Sequence, residues 1–371
     1  MKVMTIVGTR PEIIKLSRVI AELDRRVRHV LVHSGQNYDY ELNQVFFEQL
    51  EIRRPDHFLE AAGESAAQTI GKVIAKADSV MAAERPDALL LLGDTNSCLA
   101  AIPAKRRKIP VFHMEAGNRC FDDRVPEEIN RRIVDHVSDI NLPYTEHARR
   151  YLLREGLRPE TVIKTGSPMK EVLAAYRERI ERSGALGDLG LQPGQFFLVS
   201  AHREENVDSE QNFGDLLASL DALAVDYGLP IIFSAHPRTR KRLDALKART
   251  AAQVRFLKPL GFLDYVKLQM HARCVVSDSG TVTEESSLLG FPAVTIRQAH
   301  ERPEGMDEGT LVMCGLKPDG VRAAVATVLA QHAEGRRSRL VGDYDVDDVS
   351  AKVVRIILSY TDYVNRTVWF R

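Results

Sequence analysis

The sequence predicts an α/β protein built from two parallel sheets, each covered by helices on both faces. Two observations carry this reading. Short β-branched or Leu-rich runs alternate with longer amphipathic stretches through the first half, as in "VMTIV" followed by "PEIIKLSRVIAELDRR" and "ALLLL" followed by "SCLAAIPAKRR", and strand-helix alternation of this kind builds parallel sheets. The same pattern then restarts after "TVIKTGSP". A chain of 371 residues has room for two cores, at roughly 100 to 200 residues per domain.

The first sheet draws on "VMTIV", "HVLVH", "ALLLL" and "VFHM", and the second on "FFLVSAH", "GLPIIFSAHPR", "VRFLK", "CVVSDSG", "PAVTIR" and "TLVMCG". The first domain spans residues 1–170 and the second 171–349. The Gly/Pro-rich "GALGDLGLQPGQ" at 184–195 reads as the loop into the second sheet. The amphipathic tail 350–371 is expected to pack back on the first domain, because an exposed Trp369-Phe370 would make a poor surface.

Lys plus Arg equals Asp plus Glu at 51 each, so no whole-chain charge argues for nucleic acid or an anionic membrane, and any anion site is local. The start "MKVMTIVGTRPEIIK" has no signal-peptide pattern, and no window approaches the roughly 18 apolar residues of a membrane span. A cytoplasmic protein is expected. Cys98, Cys120, Cys274 and Cys314 lack C-x-x-C spacing, which argues against disulfides and structural zinc.

In open parallel sheets, ligands bind beyond the carboxyl ends of the strands, so polar clusters directly after apolar runs are the candidates. In "GTRPEIIK", Gly8 permits a tight turn, Thr9 is a plausible N-cap and Pro11 suits a helix start. Arg10 and Lys15 can face a phosphate there, where helix N–H groups favour anions; an ordinary capped helix with surface cations is the plain alternative. "LLLLGDTNS" ends a strand on Asp94 and "VFHMEAGNR" ends another on Glu115, while "RVPEEINRR" adds Glu127 and Glu128 at a helix start. Each acid alone is explained as a cap or loop residue, and Glu127 with Arg131 as an i,i+4 surface pair. Together they suit acid and base work on opposite sides of a ring.

"LVSAHREEN" and "IFSAHPRTR" each deliver a His at a strand end with an Arg close behind, as cationic donors to a phosphate or, for His236, as a core or capping residue. No metal-binding spacing accompanies them. "RQAHERPEGMDEGT" packs Arg297, His300, Glu301, Arg302 and Glu304 after a strand, either to hold a diphosphate or as a solvated salt-bridge loop. In "SDSGTVTEES", Thr281 and Glu284 have capping-box spacing, which leaves Glu285, about 100° further round the helix, to point at a ligand.

Taken in order, "GTRPEIIK", "GDTNS", "HMEAGNR", "PEEINR", "AHREEN", "DSGTVTEE", "LGFP" and "RQAHERPE" resemble the non-hydrolysing UDP-N-acetylglucosamine 2-epimerase family, from residue 1 to about 355. The resemblance implies two Rossmann-like doubly wound domains facing across a cleft, the GT-B arrangement. It also implies cytoplasmic supply of surface-polysaccharide precursors for capsule or O-antigen, a homodimer, a UDP-sugar substrate, and neither metal nor other cofactor. The family's reaction eliminates UDP from C1 to give a 2-acetamidoglycal, then re-adds it after protonation from the opposite face. Carried over, Asp94, Glu115 and Glu127 are the acid/base carboxylates, and His202 acts near the diphosphate. Arg10 and Lys15 face the ligand, and Tyr265 in "GFLDYVKL" takes the place of an aromatic that stacks on uracil. Ser279, Gly280 and Thr281 hold phosphate, Glu285 the ribose hydroxyls and Arg302 the diphosphate.

Within "HSGQNYDYELNQVF" the chain departs from the family's "Q-H-R"-like activator segment: Gln36 remains, but Asn37, Tyr38 and Asp39 differ. That stretch, with "HMEAGNRCFD" and "RQAHERPEGMDEGT", looks more like the branch converting UDP-2-acetamido-2,6-dideoxy-L-talose to UDP-N-acetyl-L-fucosamine. A GT-B glycosyltransferase is the alternative of another class.

Overall fold

In the computed structural model, which describes residues 1–36, 40–246, 250–299 and 301–371, the chain divides into two compact units. Met1–Ala175 with Gly342–Arg371 forms the first, and Tyr176–Val341 the second. The first crossover lies a few residues later than the expected 170, because the helix Met169–Ala175 packs on the helix Arg10–Arg26 of the first unit.

The first sheet contains β1 (Lys2–Val7), β2 (Arg28–His33), β3 (His57–Phe58), β4 (Ala88–Leu92), β5 (Val111–Met114) and β6 (Ile140–Leu142). They lie in the order β3-β2-β1-β4-β5-β6, and every pairing is parallel. The second contains β7 (Phe197–Ser200), β8 (Ile231–Ser234), β9 (Val254–Leu257), β10 (Cys274–Ser277), β11 (Ala293–Thr295) and β12 (Val312–Met313), in the order β12-β11-β10-β7-β8-β9. Both are doubly wound, Rossmann-like sheets. The strand order reverses between β1 and β4 in one and between β7 and β10 in the other, and crevices for ligands open at such reversals.

Central strands are covered on both faces, so they read as unbroken apolar runs: all five residues of β4, "ALLLL", are buried. The short strands β3 and β6 are not among those expected, since "HF" and "INL" stand in no longer apolar run. Within "GALGDLGLQPGQ", read as a loop, the turn of helix Ala185–Asp188 forms because Ala185 and Leu191 bury against the second core.

The chain returns to the first unit at Gly342, earlier than the expected residue 350. Asp343 anchors the return: its carboxylate accepts the Glu146 N–H at 2.8 Å and pairs with Lys164 at 2.7 Å, and its carbonyl accepts the Ser167 N–H at 3.0 Å. The helix Val349–Thr367 then packs along Arg10–Arg26. Trp369 sits under the Lys105 ammonium, 5.0 Å from ring centre to nitrogen. Phe370, expected to be covered, is 86% exposed, because its left-handed backbone (φ +51°) turns it away from the unit.

Gly166 seats the returning segment. It has φ +86°, and a Cβ there would lie 2.7 Å from Val346 Cγ2. Overpacking and strain at positive φ predict that Gly166→Ala destabilises the protein by about 2–4 kcal/mol. A urea midpoint matching the parent's would show that the segment is not seated through this contact.

Candidate functional site

In the first unit the polar clusters collect at the β1/β4 reversal. A Cβ on Gly8 would lie 2.1 Å from Ser97 Oγ and 2.2 Å from Ser34 Oγ, two hydroxyls that are themselves hydrogen-bonded at 2.9 Å. Only glycine lets the turns after β1, β2 and β4 meet so closely. Thr9 is the N-cap of Arg10–Arg26, and the buried Glu12 carboxylate reaches back to accept the Gly8 and Thr9 N–H groups and the Thr95 hydroxyl. Burial dominates these hydrogen bonds and pushes Glu12 up to about 7. At the end of β2, His33, stacked on Phe58, is held down to about 4 by burial.

Lys15, expected to face a phosphate, is buried and ends on Glu115, its ammonium 2.6 Å from Oε2. Arg10 lies with its guanidinium 5.8 Å from the centre of the Phe46 ring. Glu115 follows β5 in a left-handed conformation (φ +61°), which costs about 1–3 kcal/mol in a residue with a side chain and persists only where the surroundings fix it.

Asp94 pairs with Arg131 at 2.7 Å. Arg131 also meets Glu128 at 3.0 Å, so it bridges these two acids. From the same helix, Pro126–Val137, Asn130 Nδ2 donates to the Asp94 carbonyl at 2.9 Å. Glu128 is fully buried and accepts the Cys120 and Phe121 N–H groups. Burial opposes its charge, but these bonds and Arg131 outweigh it and hold the carboxyl below the usual range. Glu127, half-buried in the first turn, shares a helix face with Asn130 and Arg131. Asn130 and Arg131 were missed as supports for Asp94, although the i, i+3, i+4 spacing from Glu127 signals them.

In the second unit the clusters collect at the β7/β10 reversal. Asp278, directly after β10 and fully buried, accepts the N–H groups of His202 and Arg203 and the side-chain amide of Asn206 at 2.9–3.1 Å, and lies 3.3 Å from His202 Nδ1. It had not been singled out, though it is the first acid after "CVVS". The His202 side chain remains 39% exposed. His236 accepts the Arg238 N–H at 3.3 Å, the capping alternative for that residue.

The helix Thr281–Leu289 starts from Gly280 without a side-chain cap, so the capping box expected of Thr281 and Glu284 does not form. Glu284 is instead fully buried and pairs with Arg302 at 2.8 Å. Ser279 Oγ bonds the Thr281 hydroxyl at 3.0 Å. Glu285 accepts from Gln269 at 2.6 Å. Tyr265 is partly buried against the core, with hydroxyl bonds to Ser200 and Ser277, and burial together with the Glu285 charge pushes its phenol up. Arg297 and Glu301 pair at 2.5 Å and are both buried, so this loop is not a solvated salt bridge. A small pocket is lined by Ser279, Gly280, Thr283, Arg297, Glu301 and Arg302. His300 and the stretch Asn37–Asp39 lie outside the described residues. Among the described residues no group of three His, Cys, Asp or Glu could hold a metal, and no helix is long and apolar enough to cross a membrane.

Two doubly wound units, each with polar turns at its strand reversal, define the GT-B class of two-domain Rossmann-like proteins. Residues 21–358 match the family model described as UDP-N-acetylglucosamine 2-epimerase. The chain belongs to that family, which is one of isomerases. It is similar to the UDP-N-acetylglucosamine 2-epimerase structure from Rickettsia bellii, with 56% identity, full coverage of both chains and a TM-score of 0.92. The Methanocaldococcus jannaschii UDP-GlcNAc 2-epimerase, solved in complex with UDP-GlcNAc and UDP, is 32% identical, covering 97% of this chain and 100% of that one, with a TM-score of 0.89. The UDP-2,3-diacetamido-2,3-dideoxy-D-glucuronate 2-epimerase of Pseudomonas aeruginosa is 34% identical over 89% of this chain and 92% of its own length.

Glu12 makes the first unit's reversal sensitive to pH. Its folded pKa of about 7 exceeds the ordinary 4.5, so its contribution is complete below the lower value and lost as pH rises through the higher. Linkage predicts that the wild type loses up to about 3 kcal/mol relative to Glu12→Gln between pH 4.5 and 8. The comparison cancels His33, which acts in the opposite direction. A stability difference that stays flat across this range in urea unfolding would mean that Glu12 does not titrate there.

Proposed function

We propose that the protein is a non-hydrolysing 2-epimerase interconverting UDP-N-acetylglucosamine and UDP-N-acetylmannosamine. The observation that carries this reading is the set of carboxylates in the first unit, Asp94 against Arg131 and Glu115 against Lys15, in a chain of this family. The hydrogen at C2 of the sugar is not acidic. Departure of UDP from C1 builds positive charge on the ring, and a carboxylate then takes the C2 proton to leave the 2-acetamidoglycal. Proton delivery to the other face of C2 restores the cation, and UDP returns to C1. The route moves a proton and a diphosphate and no hydride, so it calls for no redox cofactor.

In this reading Asp94, Glu115 and Glu127 handle the protons. Arg10, His202 and Arg302 stabilise the diphosphate as it leaves, through charge fixed before the reaction, while Lys15 pairs with Glu115. Ser279, Gly280 and Thr281 present hydroxyls and N–H groups to phosphate at a helix start. Glu285 takes the ribose hydroxyls, and Tyr265 takes the uracil side of the site. The enzyme acts as a cytoplasmic homodimer supplying precursors of surface polysaccharide such as capsule or O-antigen; light scattering of the purified protein tests the dimer.

The Pseudomonas relative favours a second reading, because its name assigns C2 epimerisation to another UDP-hexosamine. The reaction stays the same and the sugar becomes UDP-2-acetamido-2,6-dideoxy-L-talose, giving UDP-N-acetyl-L-fucosamine. Each sugar offered separately, with products followed by NMR, decides between them. A glycosyltransferase would need an acceptor, whereas the epimerase incorporates solvent deuterium at C2 without one. Absence of that exchange with every sugar tried would sink the epimerase reading.

Asp94→Asn and Glu115→Gln should each lower kcat by about 10²–10⁴-fold while UDP still binds. Near-normal turnover in both would refute their role. Arg302→Ala should weaken UDP binding by about tenfold or more, and an unchanged dissociation constant contradicts its place at the diphosphate.

A further inference from the structure

Beneath the two turns that carry Asp94 and Glu115 lies a buried group of charges with no part in the proton transfers. His113, on β5, and Asp135, on the helix Pro126–Val137, are both fully buried. His113 Nδ1 lies 2.9 Å from Asp135 Oδ1, and its Nε2 lies 2.7 Å from the carbonyl of Gly93, the residue before Asp94. A carbonyl can only accept, and so can an ionised carboxylate, so both ring nitrogens carry protons. Burial opposes the imidazolium, but Asp135 and the Gly93 carbonyl outweigh it and raise His113 above its ordinary value. Asp135 also accepts the N–H of Gly117, two residues beyond Glu115, at 3.1 Å, and receives Arg119 Nη1 at 2.7 Å. Arg119 continues to Glu155 through two bonds of 2.8 and 2.6 Å.

We propose that Asp135 is a positioning residue for the epimerisation, holding the Asp94 turn through His113 and the Glu115 turn through Gly117. The inference rests on the roles given to Asp94 and Glu115 above. Its warrant is connectivity joined to cost. Desolvating three charges in a packed interior is rarely repaid in stability, and an apolar cluster of equal volume would serve as well or better. What an apolar cluster could not do is aim the carbonyl of Gly93, a residue whose N–H donates to the Met114 carbonyl at 3.0 Å, or fix the turn that keeps Glu115 left-handed. Asp135 is also on the helix that brings Glu127, Asn130 and Arg131 to the same turns. One buried anion therefore ties together all three acids.

Two substitutions at His113 separate aiming from filling. The amide of Gln reaches the position of Nε2 and can still donate to the Gly93 carbonyl, whereas that of Asn reaches only the position of Nδ1. With UDP-GlcNAc as substrate and solvent deuterium exchange at C2 as the readout, His113→Asn should lower kcat by about 10²-fold, the loss expected for a misplaced catalytic group, with KM held. His113→Gln should stay within about tenfold of the parent at a similar thermal midpoint. Combined with Asp94→Asn, the Asn variant should add little, because groups acting as a unit are not additive. Asp135→Asn, which keeps an acceptor for Gly117 but removes the charge, should follow His113→Asn in the same cycle.

Equal loss in the Gln and Asn variants, in step with their thermal midpoints, would overturn the proposal. So would a His113→Asn effect that multiplies fully with Asp94→Asn. Normal turnover of Asp94→Asn alone would instead remove the role of Asp94 itself, and the positioning proposal with it.

Discussion

The polar turns of both units depend on an acid buried beneath the strand ends. At a strand reversal the chain leaves the sheet on both sides, and the N–H and C=O groups of the departing turns have no ladder partner. A carboxylate set below them accepts several N–H groups at once. Asp278 does this for the turn after β7, gathering His202, Arg203 and Asn206, and Asp135 does it for the turns after β4 and β5, with His113 supplying the one donor that a carbonyl needs. Each acid is fully buried, so the field between it and its partners is little screened and the geometry it imposes is stiff.

That stiffness carries into the side chains above. Asp94 is met by Arg131, which Glu128 holds from the other side, while Glu128 itself anchors the backbone at Cys120 and Phe121. Glu115 is met by Lys15 from the helix that the Gly8 turn starts. The acids in the first unit are therefore presented as members of ion pairs. Each pair joins elements far apart in the chain, Lys15 to Glu115 and Arg131 to Asp94, so the position of each carboxylate is set by the fold rather than by its own turn.

The sequence made the sheets legible where strands were long and buried on both faces, as in "ALLLL" and "FFLVS". It hid β3 and β6, whose pairing is fixed by neighbours rather than by their own pattern. The residues at strand ends could be listed, because an acid or His directly after an apolar run is conspicuous. Their partners could not. Lys15 looked like a phosphate ligand because it follows a helix start, yet its contact with Glu115 spans a separation of 100 residues that no local pattern encodes. Asp135 and Arg119 were invisible for the same reason: an Asp near a helix end and an Arg in a loop read as surface residues until the fold buries them.

Glu284 and Glu285 show how far such reading can go. Helical geometry sets their side chains about 100° apart, so the two acids had to serve different surroundings, and that part needed no structure. The particular duty assigned to Glu284 was wrong, because the start of its helix is Gly280 and the nearer opportunity for a buried carboxylate is the Arg302 guanidinium across the turn. The acid thus finds its partner in the following loop rather than in its own helix start, and an Arg held by a buried Glu keeps its planar donors in a fixed direction. Glu285 accepts from the Gln269 amide and lies close to the Tyr265 phenol. Of the pair, Glu284 meets a guanidinium and Glu285 an amide, the different surroundings that their separation round the helix requires.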